Sequence, residues 1–168
     1  LVDFPGTYSL YPTSSDEKLV AAVMTNPDDV FFPDALIYIA DVTHLERHLL
    51  LLTQLLDLNL PVILALNMSD TASEMGIKVN TAKLSDQLGV PVISISGRKE
   101  DNIQRLLSEV EKMLKTPQKA SEQSIFYKLT DAEKQITDAV RQNLAIENPY
   151  RALLILHHHK WLKKKKKP

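Results

Sequence analysis

The sequence predicts an α/β domain, a mostly parallel sheet flanked by helices, followed by an α-helical segment. Three observations carry this. Residues 34–41, 61–67 and 91–96 are short, nearly continuous apolar runs rich in β-branched residues, the pattern of strands covered on both faces in a parallel sheet. The segments between them have helical rather than alternating periodicity. Beyond about residue 115 strand character disappears and only helical period is left. Strand and helix therefore alternate three times, as in a sheet built from crossover units.

Taken in order, Leu1-Val2-Asp3 reads as the end of a strand, and Asp3-Phe4-Pro5-Gly6 turns the chain into a polar loop over 13–29. Tyr8, Tyr11, Phe31 and Phe32 flank this loop and are expected to pack it onto the sheet. After the strand at 34–41, Thr43-His44-Leu45-Glu46 has the form of a capping box, and Leu45, Leu49, Leu52 and Leu56 then share one helix face. The strand at 61–67 leads to a second box, Thr71-Ala72-Ser73-Glu74, for a short helix that Gly76 ends. Asn80 caps a helix running to Leu88, with Gly89 as its stop. Past the strand at 91–96, Ile103, Leu106, Leu107, Val110 and Leu114 form the stripe of a helix over 100–115.

Residues 116–124 are polar, contain Pro117 and read as a linker. Thr130-Asp131-Ala132-Glu133 is a third capping box, followed by Ile136, Val140 and Leu144. Asn148-Pro149 opens another helix through Tyr150, Leu153, Leu154 and Leu156 toward Trp161. Two helices bury little apolar surface alone, so they are expected to begin a larger helical unit. The expected organisation is thus a partial domain at 1–115, the linker, a helical segment at 125–162 and a basic tail at 163–168.

Composition narrows the function. The chain of 168 residues is 44% hydrophobic and 24% charged, which suits one soluble domain with a small appendage. It has no cysteine, which excludes disulfides and thiolate metal sites. The net charge is −1, but a lysine run at 163–167 offsets a distinctly acidic remainder, a poor surface for nucleic acid. That run reads as a solvated tail, an added segment, or a basic patch attracted to anionic lipid. No apolar stretch reaches the length of a membrane span, and the start lacks the basic region of a signal peptide.

Ligands of open α/β sheets sit beyond the carboxyl ends of the strands. Asp3 and Gly6, Asn67 to Asp70, and Ser96-Gly97 are all expected there. Each has a job if the ligand is GTP. Asp70 would accept hydrogen bonds from the guanine N1–H and N2 amine; adenine lacks that pair and would leave the carboxylate unpaired, at a few kcal/mol. Asn67 would tie the base loop to its neighbours, and backbone N–H groups around Ser96 to Arg98 would donate to guanine O6. Asp3 would hold Mg²⁺ through water, and Gly6 would let its N–H approach a γ-phosphate. Singly, Asp-x-Pro-Gly is also an ordinary turn and Asn-x-x-Asp an ordinary helix cap; their order and placement join them. His44 and His48 have i, i+4 spacing, but no further metal ligand accompanies them. His157, His158 and His159 point about 100° apart on a helix and cannot share one ion.

The segment from Asp3 to Leu10 closely resembles the D-L-P-G-T-Y-S-L of the GTPase domain of the ferrous iron transport protein B family. The stretch from Asp41 to His48 is similar to that family's D-A-T-N-L-E-R-N, and Leu64 to Asp70 to its L-A-L-N-M-x-D, where Met68 replaces the lysine usual in other GTPases. The Asn148-Pro149-Tyr150-Arg151 helix fits the helical domain that follows the GTPase domain in this family and restrains nucleotide dissociation. The likeness runs from residue 1 to about 162.

The resemblance implies a P-loop GTPase fold, GTP/GDP and Mg²⁺ as ligands, and a membrane-embedded Fe²⁺ permease in the same polypeptide, at the cytoplasmic face of the inner membrane. Asp3 and Gly6 carry over to the Mg²⁺ and γ-phosphate role, Asn67, Met68 and Asp70 to guanine recognition, and Ser96 to the base loop. Gly97 departs from the pattern, standing where alanine is commoner, and Thr7 stands where many small GTPases have a water-orienting glutamine. Residues from Gly6 to about Asp28 would form the second switch. No Gly-Lys pair, and so no phosphate-cradling loop, occurs in the chain; that loop and the first switch are expected before Leu1, and the chain alone would be a soluble fragment inactive as an enzyme. A homo-oligomer is left open. The other readings are a non-catalytic interaction module with a residual G fold, or a GTPase of the translation-factor class. A G-x-x-x-x-G-K-[ST] upstream of Leu1 would exclude the first, and a polytopic apolar segment downstream the second.

Overall fold

The computed structural model describes residues 1–115 and 126–162. Three parallel strands, β1 (Leu36–Asp41), β2 (Val62–Asn67) and β3 (Val92–Ser94), lie in the order β1-β2-β3. Leu36 pairs with Val62 and Asp41 with Asn67, while Leu64 pairs with Val92 and Leu66 with Ser94. All three carboxyl ends therefore meet at one edge.

The side-chain alternation of β2 explains its continuous apolar sequence. Val62, Leu64 and Leu66 enter one core cluster, Ile63 and Ala65 another. The first lies under helices α1 (Ser15–Thr25), α2 (Leu45–Asp57) and α7 (Pro149–Leu162), with Leu52, Leu56, Val20, Met24, Tyr150 and Leu154 buried together. The second is closed by α5 (Ile103–Lys115) through Leu106 and Met113. Between β2 and β3 run α3 (Ser69–Glu74) and α4 (Thr81–Leu88), and α6 (Asp131–Leu144) packs on α7.

Several local signals act as the sequence indicates. Asn80 Oδ1 accepts from Lys83 N at 2.9 Å, and Gly89 ends α4 in the left-handed region at φ 70°. Gly76, at φ 71°, follows α3 with Gly76 N–H on Ser73 O and Ile77 N–H on Ala72 O, a paired C-terminal closure that favours glycine. Thr130 and Glu133 form a complete capping box, and Asn148 Oδ1 accepts from Arg151 N at 2.8 Å with Pro149 in the first turn.

Other expectations fail for identifiable reasons. Residues 13–29 are not a loop: Ser14 and Glu17 form a capping box for α1, and 20–25 are buried. The Thr43 box does not form because Asp41 Oδ1 takes both the Thr43 N–H and hydroxyl, at 2.8 and 2.7 Å, winding 42–44 into a 3-10 turn before α2. Thr71 is not a cap either; α3 starts earlier, with Met68 as N-cap at φ 67°. Among the described residues, Leu1, Val2 and Asp3 pair with no strand and lie outside the sheet. Of the four flanking aromatics, Phe32 packs against the main core whereas Tyr8 and Phe31 are exposed. The α5 helix begins at Ile103 because Glu100 and Asn102 adopt positive φ. The linker at 116–124 and the lysine run at 163–167 lie outside the described residues, and no described helix is long and apolar enough to cross a membrane.

Candidate functional site

Two loops meet at the carboxyl edge of the sheet. Asn67 ends β2, and Met68 turns the chain through the left-handed region, a conformation that costs a non-glycine residue about 1 kcal/mol. This turn sends Ser69 and Asp70 into α3. The second loop leaves β3 through Ile95, whose N–H donates to Leu66 O at 2.8 Å, and closes on itself where Ser96 and Asp101 exchange backbone hydrogen bonds. Two bonds fasten loop to loop: Ser69 N–H to Ile95 O at 3.1 Å, and Gly97 N–H to Asn67 Oδ1 at 3.0 Å. A Cβ on Gly97 would meet Asn67 Oδ1 at 3.6 Å, an ordinary contact, so alanine would fit at this position.

Asp70 is the charged centre. Its side chain is 5% exposed, and Arg98 approaches the same Oδ2 with Nη2 at 2.7 Å and Nε at 2.9 Å. Burial opposes its ionisation, but the Ser96 hydroxyl, the Thr71 N–H and the Arg98 guanidinium outweigh that and hold the carboxyl below the usual aspartate value. Asp70 is thus a fixed, ionised acceptor. Ser69, Asp70, Ser73, Glu74, Ser94, Ser96, Lys99 and Asp101 line a cavity of about 540 Å³ beside it.

The structure brings Asn67, Met68, Asp70, Ser96 and Gly97 together. It does not join Asp3 or Gly6 to them: among the described residues no hydrogen bond links either to these loops, and both lie in the irregular segment before Tyr8. A single carboxylate such as Asp3 holds Mg²⁺ only with water and phosphate oxygens completing the shell. Two backbone donors expected to face a ligand carbonyl are already engaged, Ser96 N–H on Asp101 O and Gly97 N–H on Asn67 Oδ1. The Arg98 side chain is what sequence reasoning overlooked, having used only its backbone N–H; its signal is a basic side chain two positions after Ser96.

His44 and His48, spaced i, i+4, each face a different neighbour. His44 Nδ1 faces Asp41 Oδ2 at 3.2 Å and His48 Nδ1 faces the Tyr38 hydroxyl at 3.4 Å. Among the described residues no group of three or more His, Asp or Glu is placed to hold a metal.

A sequence model described as ferrous iron transport protein B matches residues 1–110. The chain belongs to the FeoB family. The Fe(2+) transporter FeoB of Helicobacter pylori is 34% identical over 176 residues, covering 96% of this chain and 27% of the relative. The chain therefore spans about a quarter of that FeoB's length. The cytosolic domain of L. pneumophila FeoB superposes with a TM-score of 0.76 at 32% identity, over 97% of this chain and 64% of that one. The cytosolic domain of the T. maritima FeoB iron transporter in its GMPPNP form gives a TM-score of 0.74 at 26% identity, over 99% and 68%. The fold is that of FeoB GTPase domains, a mostly parallel sheet flanked by helices.

Proposed function

We propose that the chain is the later part of the GTP-binding cytosolic region of a ferrous iron transporter, lying at the cytoplasmic face of the membrane. GTP binding would be coupled there to Fe²⁺ uptake through a permease domain of the same polypeptide. The reading rests on one observation above the rest: the Asp70 carboxylate, its side chain 5% exposed, stands at the strand edge with two guanidinium donors on Oδ2, beside the loop that Asn67 fastens. A carboxylate so placed matches the N1–H and N2 amine of guanine and penalises adenine. Asn67 holds the two loops in register, and the left-handed Met68 turn aims Asp70. The Asp3 carboxylate and the Gly6 N–H would serve Mg²⁺ and the γ-phosphate, with the phosphate-binding loop supplied from upstream of Leu1. That loop would make the full protein a GTPase, and this chain without it inactive.

The test is nucleotide affinity in the protein expressed from the full reading frame. Asp70→Asn should lower GTP affinity about 10- to 100-fold, as loss of a charged hydrogen-bond acceptor does, and should erase the preference over ATP. An unchanged preference would refute the base-reading role. A full reading frame without G-x-x-x-x-G-K-[ST] would instead favour an interaction module.

A further inference from the structure

We propose that Arg98 is a built-in competitor for the guanine reader, occupying the acceptor edge of Asp70 in the base-free state and passing to Glu74 when a base enters. The proposal rests on the reading of Asp70 as the guanine acceptor. Its own ground is chemical mimicry. Nε–H and Nη2–H of a guanidinium are two donors on neighbouring nitrogens of one carbon, and so are N1–H and the N2 amine of guanine. In Arg98 both converge on Asp70 Oδ2, at 2.9 and 2.7 Å. Guanine would take both carboxylate oxygens, one for N1–H and one for the N2 amine. Arg98 already holds Oδ2 with two donors, so the base and Arg98 cannot use the carboxylate together.

The exchange is also physically easy. The Arg98 side chain is 68% exposed, and ion pairs at such sites are weak. A second acceptor waits beside the first: Glu74 Oε1 lies 3.7 Å from the same Nη2. Glu74 follows Asp70 by four residues on α3, so both carboxylates face the same side of the helix. Arg98 can be handed over by rotating its side chain while the base loop stays fastened through Asn67 and Gly97. The arginine thereby keeps Asp70 paired when no base is present.

Guanosine, a neutral probe of the base pocket alone, tests this by competition against a fluorescent GDP analogue on the protein from the full reading frame. Arg98→Ala should bind guanosine about two- to fivefold more tightly at low salt, the range of an exposed ion pair. The gain should vanish at high salt, where the wild-type pair is screened. Glu74→Gln should weaken guanosine binding, and the double variant should match Arg98→Ala. Equal or weaker guanosine binding by Arg98→Ala would overturn the proposal. Asp70→Asn separates the two levels. If it erases the guanosine-over-adenosine preference while Arg98→Ala tightens nothing, the competitor fails and the base reader stands. If it leaves the preference intact, both fall.

Discussion

His158 shows how one side chain ties the ends of the chain together. It is buried in α7, and its Nε2–H donates to the Leu10 carbonyl at 2.8 Å, downstream of the Asp3-Phe4-Pro5-Gly6 segment. The same Leu10 presents its N–H to Gln54 Oε1 of α2 at 2.6 Å. Burial pushes the His158 pKa down; the Leu10 carbonyl pulls the other way and His157 adds to the fall. A lowered histidine pKa means that the fold prefers the neutral ring. The stability this supplies is complete above the ordinary histidine value of about 6.5 and is lost as pH falls through it toward the folded value. Denaturant midpoints should therefore drop between pH 7 and 5. His158→Gln, which keeps an N–H donor but cannot titrate, should flatten that slope. An equally steep slope in the variant would assign it elsewhere. Sequence reasoning placed His157, His158 and His159 on a helix and excluded a shared ion. It could not find the burial of His158, because the partner that makes a buried imidazole tolerable lies 148 residues away.

Element by element, legibility followed how local the deciding interaction is. The helix signals at Asn80, Gly89 and Thr130 are settled within a few residues and act as read. Thr43 and Thr71 carry the same pattern, but the Asp41 carboxylate captures the first and the left-handed Met68 turn starts α3 before the second. The α1 helix was missed because its first turn is polar and its apolar half, 20–24, is a continuous run without helical spacing. Its start is nevertheless explicit: Glu17 Oε2 accepts from Thr13 N at 2.8 Å and Ser14 N at 3.2 Å, and Ser14 Oγ accepts from Glu17 N at 3.2 Å. Ser14→Ala should destabilise the protein by about 1 kcal/mol in urea unfolding, while Ser15→Ala, just inside the helix, should change little. Equal effects would mean that tertiary packing of 20–24 alone defines α1. The candidate site was legible to the same degree. Asn67, Asp70 and Ser96 stand in sequence next to strand ends, whereas the Arg98 pairing is set by how two loops meet.

At the scale of the molecule, α7 is part of the main core, since Tyr150, Leu153 and Leu154 are buried with Leu10, Val20 and Leu52. A polar junction at the end of α2 orders the chain around this contact. The Asp57 carboxylate accepts from Phe126 N at 2.6 Å and Tyr127 N at 3.0 Å, so it receives the chain as it enters the helical segment. Asn148 Nδ2 donates to the Asp57 carbonyl at 2.8 Å, placing the start of α7 against the same turn. One residue of α2 thus fixes both the entry to the helical pair and the helix that enters the core. Asp57→Ala orphans two part-buried N–H groups and should cost about 1–3 kcal/mol; Asp57→Asn, keeping one acceptor oxygen, should cost less. The sharper readout is hydrogen exchange. If Asp57 is the anchor, the amides of Phe126 and Tyr127 should exchange faster in Asp57→Ala by a larger factor than those of β2, because the junction opens before the sheet does. A uniform acceleration across both would show that the helical pair and the sheet unfold as one unit, and that the packing of Tyr150 and Leu154 rather than the Asp57 junction holds them together.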